Sequence, residues 1–328
     1  MEEMKEQQVN KPVKILSMDM IQSQKVEWLW HPYIPFGKIT IVQGDPGEGK
    51  TTMVLNLAAL LSQGKHFEES SATGEPLSVI YQTAEDGLAD TVKPRLEEAD
   101  ADCSKILVID DSEKSLTMDD ERLEQAIIQT GAKLLILDPI QAYLGNGVDM
   151  NRANEARDMT KKLGLLAERT GCAIVLIGHM NKAGGSKAAY RGIGSIDFFA
   201  VARSVLLVAR VAEQEHIRVV AQIKNNLAEE GKPVAFERCN DGFKWIGRYD
   251  ITVDELLGGY SKTNKLQQAK QYIKGLYGTE KAIPSKEIEQ KAKDMGISKR
   301  TLDMAKHELQ IPSKRIGDGW CWDLSKKK

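Results

Sequence analysis

The chain has 328 residues, 41% of them hydrophobic and 28% charged, with a formal net charge of −2; that is long enough for one large core and a smaller second unit, with the composition of an ordinary soluble globular protein. No apolar run approaches the ~18 residues that a membrane-spanning helix needs. The four cysteines, Cys103, Cys172, Cys239 and Cys321, form no C-x-x-C pair, which argues against a metal knuckle or a disulfide framework.

The charge is unevenly placed. From Glu255 to the end there are 16 Lys/Arg against 9 Asp/Glu, so the remainder holds 29 against 38. The basic tail suits nucleic acid, and equally a solvated lysine-rich surface.

In chain order, the start (Met1-Glu2-Glu3-Met4-Lys5-Glu6) has no apolar signal segment, so a cytoplasmic protein is expected. Residues 1–12 are polar and expected to be disordered. The Pro-flanked aromatics Trp28-Leu29-Trp30-His31-Pro32-Tyr33-Ile34-Pro35 predict an irregular lead-in on the sheet edge. Trp28 or Tyr33 either stacks on a nucleobase or simply packs.

Ile39-Thr40-Ile41-Val42 predicts a strand and Met53–Leu61 a buried helix. Between them lies Gly44-Asp45-Pro46-Gly47-Glu48-Gly49-Lys50-Thr51-Thr52, which fits the P-loop pattern G-x-x-x-x-G-K-[ST]. Strand, glycine-rich turn and helix are what phosphate binding needs. The glycines let backbone N–H groups surround phosphate oxygens, and the helix N-terminus adds partial positive charge. Lys50 would neutralise the β- and γ-phosphates of ATP, and Thr51 would hold Mg²⁺.

Ser78–Tyr81 predicts a second strand, ending in Gln82-Thr83-Ala84-Glu85-Asp86. A carboxylate just past a strand's C-terminal end faces the ligand crevice of an open α/β sheet. Glu85 is the candidate for orienting the attacking water, with Asp86 as the alternative; a turn acid or helix cap is the plainer reading. A helix near Thr91–Asp100, a strand at Ile106–Ile109 and a helix over 118–130 follow. Leu134-Leu135-Ile136-Leu137-Asp138 then matches the Walker B pattern, a buried strand that carries one carboxylate to the metal.

Ala153–Thr170 predicts an amphipathic helix and Cys172–Ile177 a strand. His179, just past its end, is either a γ-phosphate sensor or a structural histidine. The segment Asn181–Gly192 is glycine-rich and basic, and Lys182, Lys187 and Arg191 suit a phosphodiester backbone. Ser204–Val208, Ile217–Ile223 and Pro233–Phe236 predict antiparallel strands that extend the sheet. Arg203 and Lys224, at strand ends, matter only if a neighbouring subunit's phosphates lie opposite. The pattern divides the chain into an extension (1–27), an ATPase domain (28–257), a linker (258–264) and a C-terminal domain (265–328). The last shows three helices and a hairpin around Gly317-Asp318-Gly319, the layout of a winged helix. Its third helix would present Lys299, Arg300 and Lys306 to DNA, and its hairpin Lys314 and Arg315.

The ordered motifs ending in Asp86, Asp138 and Gly178-His179-Met180 resemble a RecA-like ATPase core: a mostly parallel twisted sheet with helices on both faces. Gly178–Lys182, Arg191–Ser195, Ala202–Val205 and Lys224-Asn225-Asn226 narrow the resemblance to RepA-type hexameric helicases of plasmids and related phage ATPases. The resemblance implies ring assembly, ATP and Mg²⁺ between subunits, and single-stranded DNA in a central channel lined by the loop from Asn181 to Tyr190. It makes Glu85 the catalytic glutamate, Asp138 the Walker B acid, His179 the sensor, Arg203 a finger acting in trans and Lys224 a second trans cation. DnaB-type helicases carry Lys-x-Arg where this chain has Lys224-Asn225-Asn226, so the finger role falls on Arg203 alone. The alternatives are a non-motor, ATP-switched DNA-binding regulator and a recombinase-like filament.

Overall fold

The computed structural model describes residues 15–65, 74–145, 153–179, 196–212, 214–239, 242–258, 262–276, 282–317 and 319–324. The N-terminal part makes a two-stranded antiparallel ribbon, β1 (Trp28–Trp30) and β2 (Ile34–Pro35). Then come β3 (Ile39–Gly44), α1 (Lys50–Ser62), β4 (Val79–Thr83), α2 (Lys93–Glu98, entered by a wider turn over Leu88–Val92) and β5 (Ile106–Leu107). α3 (Glu121–Thr130), β6 (Leu134–Asp138), α4 (Ala153–Thr170), β7 (Ala173–His179) and α5 (Ile196–Val201) follow. The strands β8 (Ser204–Val211), β9 (Gln214–Asn225), β10 (Val234–Cys239) and β11 (Gly242–Arg248) lead to α6 (Val253–Gly258).

One nine-stranded sheet organises these elements, in the order β11-β10-β9-β8-β3-β7-β6-β4-β5. From β8 to β5 the pairing is parallel, and from β8 to β11 it is antiparallel. The central strands are buried on both faces, which is why they read as unbroken apolar runs. Alternate residues feed two cores. Val42, Ile136 and Val175 pack with Met53, Leu57 and Leu61 of α1 on one face. Ile41, Leu135 and Leu176 pack with Leu123 of α3 and Leu163 of α4 on the other. This is the RecA-like architecture of a P-loop ATPase core.

Several expectations need correction. Ser204–Val208 pairs parallel to β3 in the middle of the sheet, and the antiparallel extension begins only with β9. The long path through α5 returns the chain to the starting edge, as a parallel connection requires. The strand at 106–109 is only two residues long, and α3 begins at Glu121 behind the Asp120 cap, leaving Met118 outside it and Ile128 exposed. The aromatic lead-in is a two-stranded ribbon and not irregular, but it packs on the sheet edge as expected: Trp30 lies on Tyr33 and on Trp245 of the edge strand β11, and the Tyr33 hydroxyl donates to the Lys232 carbonyl.

The C-terminal part holds α7 (Lys262–Gly275), β12 (Ala282–Pro284), α8 (Ser285–Asp294), α9 (Lys299–Glu308), β13 (Ser313–Ile316) and β14 (Gly319–Asp323). The three strands form an antiparallel sheet in the order β12-β14-β13. Its separate core joins Ile273, Ile288, Leu302, Ala305 and Trp322. Ser298 caps α9 by accepting from the Thr301 N–H.

Candidate nucleotide site

The parallel strands β3, β4, β6 and β7 end on one edge of the sheet, and the sequence candidates collect there. Gly49 is the residue before α1 and has a φ of +88°, a left-handed conformation that glycine adopts without strain. Gly44 is glycine for a different reason: a Cβ there would lie 2.2 Å from the Val208 carbonyl oxygen of β8.

Lys50 is buried, and its ammonium donates to the Gly44 and Asp45 carbonyls, each at 2.9 Å. It also lies 3.2 Å from His179 Nδ1. Burial pulls the Lys50 pKa below the usual lysine value, opposed by attraction to Asp138, Asp45, Glu48 and Glu85. His179 is placed by register, since it is the β7 partner of Gly44.

Thr51 Oγ1 donates to Asp138 Oδ2 at 2.7 Å. The Tyr81 hydroxyl, on the neighbouring strand, donates to the same oxygen at 3.1 Å. Burial raises the Asp138 pKa above the ordinary carboxylate range, with these two bonds opposing the shift. One hydroxyl and one carboxylate make an all-oxygen donor set, which suits a hard divalent cation that keeps waters and shares substrate phosphates. Among the described residues no group of three or more His, Cys, Asp or Glu could hold a metal without such help.

The Ala84 N–H donates to the Asp138 carbonyl at 3.1 Å, so the end of β4 sits beside the Walker B strand. Glu85 follows immediately and is exposed to the crevice. Asp86 is engaged elsewhere, in an ion pair with Arg95 at 2.8 Å. That pairing separates the two acids: Glu85 is free to meet a ligand and Asp86 holds α2.

Arg203 and Lys224 are not brought to this edge. Arg203 stands beside Ile39, at the start of β3, and its N–H donates to the Ile39 carbonyl at 3.0 Å. The strand from Ile39 to Gly44 covers roughly 16 Å at a strand's rise per residue. Lys224 is at the same far end, paired with Val205, its ammonium on the Phe199 and Ala200 carbonyls at 2.7 and 3.1 Å. Burial lowers the Lys224 pKa, and nearby Arg203 adds to the shift. Lys182, Lys187 and Arg191 lie outside the described residues.

A family model described as an AAA domain matches residues 8–185. The chain belongs to the AAA domain family. P-loop ATPases of this kind bind ATP with Mg²⁺, and the donor set at Thr51 and Asp138 fits that pair. Among curated relatives of this AAA domain, the DNA repair protein RadA of Halalkalibacterium halodurans is 26% identical over 216 residues, covering 64% of this chain and 41% of that protein. RadA of Bacillus subtilis is 22% identical over 249 residues, covering 72% and 48%. The chain thus spans less than half the length of these relatives. A KaiC-like protein of Pyrococcus horikoshii aligns over 68% of this chain and 98% of its own, at 19% identity and a TM-score of 0.47.

Sequence reasoning missed several groups around this AAA domain's cradle. Tyr81 reads as one more apolar strand residue, and only its register beside Asp138 gives its hydroxyl a task. Arg210, near the end of β8, and Arg218, within β9, lie over the P-loop at Glu48. A cavity of about 390 Å³ opens beside α1, lined by Thr52, Asn56, Arg95, Arg238, Phe243 and Trp245 among others. Trp28 and Tyr33 are buried in packing, the plainer of their two readings.

In the C-terminal part, Lys299 is paired with Glu289 at 3.0 Å, and Lys306 lies over the Trp322 ring, 4.6 Å from its centroid. Lys314 pairs with Asp323 at 3.0 Å. Arg300 and Arg315 are exposed.

Proposed function

We propose that this chain is an ATP-hydrolysing DNA translocase or helicase of RepA type, working as a ring, hexameric in the resembled family, on single-stranded DNA. The supporting observation is the division of the site. Lys50, Thr51, Asp138, Glu85 and His179 meet at one edge of the sheet, while Arg203 and Lys224 stand at the other. A cation that cannot reach its own nucleotide can serve a neighbour's. A ring or filament of copies provides that neighbour.

In this reading the cradle and Lys50 hold the triphosphate, with the nucleoside in the cavity that begins at Thr52. Thr51 and Asp138 would hold Mg²⁺, which would supply charge neutralisation to the triphosphate. Glu85 orients water for in-line attack and accepts its proton. Arg203 and Lys224 of the adjoining copy stabilise the charge that develops on the γ-phosphoryl oxygens. His179 connects the state of the γ-phosphate to the segment that follows β7. The C-terminal helices and sheet act as a winged helix that contacts duplex DNA through α9 and its hairpin.

The likeness to relatives named DNA repair protein RadA favours a second reading, a recombinase-like ATPase that forms a filament. ATPase rate measured with no DNA, with single-stranded DNA and with duplex, alongside native mass across concentrations, tests both. Stimulation by single strands together with a ring mass supports the motor. Full activity as a monomer, indifferent to DNA, overturns both readings.

A further inference from the structure

We propose that Arg210 and Arg218 are positioning residues for the phosphate cradle and act through Glu48. The inference rests on the nucleotide reading above.

Glu48 has the wrong sign for its place. It lies in the loop that must surround a triphosphate, where a free carboxylate would repel the ligand. Two cations answer it. Arg210 Nη2 is 3.5 Å from Glu48 Oε1, and Arg218 Nε is 3.9 Å from Glu48 Oε2. The two arginines are themselves direct partners across the β8–β9 ladder. Like charges placed opposite in a ladder destabilise it unless something lies between them. The Glu48 carboxylate is that something, so each side of the contact needs the other.

The contact is built into the fold. The Arg218 side chain is 8% exposed and that of Glu48 16%. A Cβ on Gly49 would meet the Phe236 ring at 3.5 Å and Arg218 Cγ at 4.0 Å, so the extended sheet lies close over the loop. Arg218 donates from Nη1 to the Glu215 carbonyl, which fixes the guanidinium. Its Nε and Glu48 Oε2 are buried without a hydrogen-bond partner and face each other across a gap about 1 Å longer than a hydrogen bond.

The test is a double-mutant cycle on the full chain, read by the Kd of a fluorescent ATP analogue and by Tm without nucleotide. Arg210→Ala, at the more exposed arginine, is expected to weaken binding about tenfold when Glu48 is present. In a Glu48→Gln background the same change is expected to alter Kd by less than about twofold. Arg210→Lys, which keeps the charge, is expected to recover part of the loss. Equal losses in both backgrounds overturn the proposal, as does a fall in Tm with Kd unchanged, which would leave the arginines a packing role only. Absence of binding by the unaltered chain overturns the nucleotide reading instead. The contact is then judged on Tm, where additivity of the changes at 48 and 210 overturns it.

Discussion

The Lys50 ammonium and His179 Nδ1 lie 3.2 Å apart at the ends of two adjacent parallel strands. A protonated lysine only donates, so a hydrogen bond here needs a lone pair on Nδ1. A γ-phosphate drawing Lys50 outward would break this contact, and its loss would restore it. His179→Ala should therefore keep nucleotide affinity within about threefold and lower turnover on the order of tenfold, the value of one hydrogen bond at the transition state. Equilibrium binding beside steady-state turnover separates the two effects.

Glu85 and Asp86 are neighbours with different employment, since Asp86 is committed to Arg95. Glu85→Gln should retain nucleotide and lose turnover by about 10²–10⁴, as expected for a lost general base. Asp86→Asn should lower Tm through the freed Arg95 and leave turnover within a few-fold. A reversed pattern in single-turnover assays would exchange the two assignments.

Placement of Arg203 at the far end of the sheet makes a mixing experiment decisive. Arg203→Ala should bind nucleotide normally and lose turnover by about 10³–10⁵, the range for a trans arginine. Lys50→Ala should lose both. Mixed in equal amounts, the two inactive variants should regain part of the activity, because some interfaces then pair an intact cradle with an intact finger. No recovery in mixtures of confirmed assembly would remove Arg203 from the shared site.

Asp138 is 6% exposed, and its charge is held there against burial by Thr51 and Tyr81. Asp138→Asn keeps an acceptor for both hydroxyls and removes the buried charge. The metal-free variant should gain stability from the relieved burial of Asp138 and lose part of it as the buried Lys50 ammonium loses an attracting charge, a net shift read at about 2–4 °C for each kcal/mol, and should lose Mg²⁺-dependent turnover. Calorimetry with a chelator present gives the first number and an ATPase assay the second.

The three cations of α9 will not behave alike. Arg300 is exposed, whereas Lys306 covers Trp322 and bonds Ser313. If α9 meets duplex DNA, Arg300→Ala should weaken binding and reduce the salt slope by about 0.9, one phosphate contact. Lys306→Ala should mainly destabilise the C-terminal unit. Fluorescence titrations at several salt concentrations, with a melt of each variant, distinguish these results.

Half of the site was legible because its chemistry is local in sequence. Gly44–Thr52 makes cradle, lysine and metal hydroxyl from one turn, and the apolar run before Asp138 announces a buried strand with a polar end. What register decides was hidden. Nothing near Tyr81 shows that its hydroxyl meets Asp138, and nothing near Arg210 or Arg218 shows that they share a carboxylate far upstream. The direction of Ser204–Val208 was hidden as well: a short apolar strand reads the same whether it runs with or against its neighbour, and the length of the preceding path decides. That the aromatic lead-in packs was legible, but its partner was not, because Trp245 on β11 comes two hundred residues later in the chain.

Gly44 is the most motif-like residue in the protein, yet its side chain is forbidden by a strand carbonyl and not by a phosphate. In a saturation screen every replacement there would score as inactive and be counted with Lys50. The two failures are different in kind. A Lys50 variant would be a folded protein with an empty hand, whereas a Gly44 variant would have to push β8 aside and would be lost to the cell's quality control before it met any nucleotide. Abundance, scored beside activity, would sort the signature's residues into those that do chemistry and those that only make room for it.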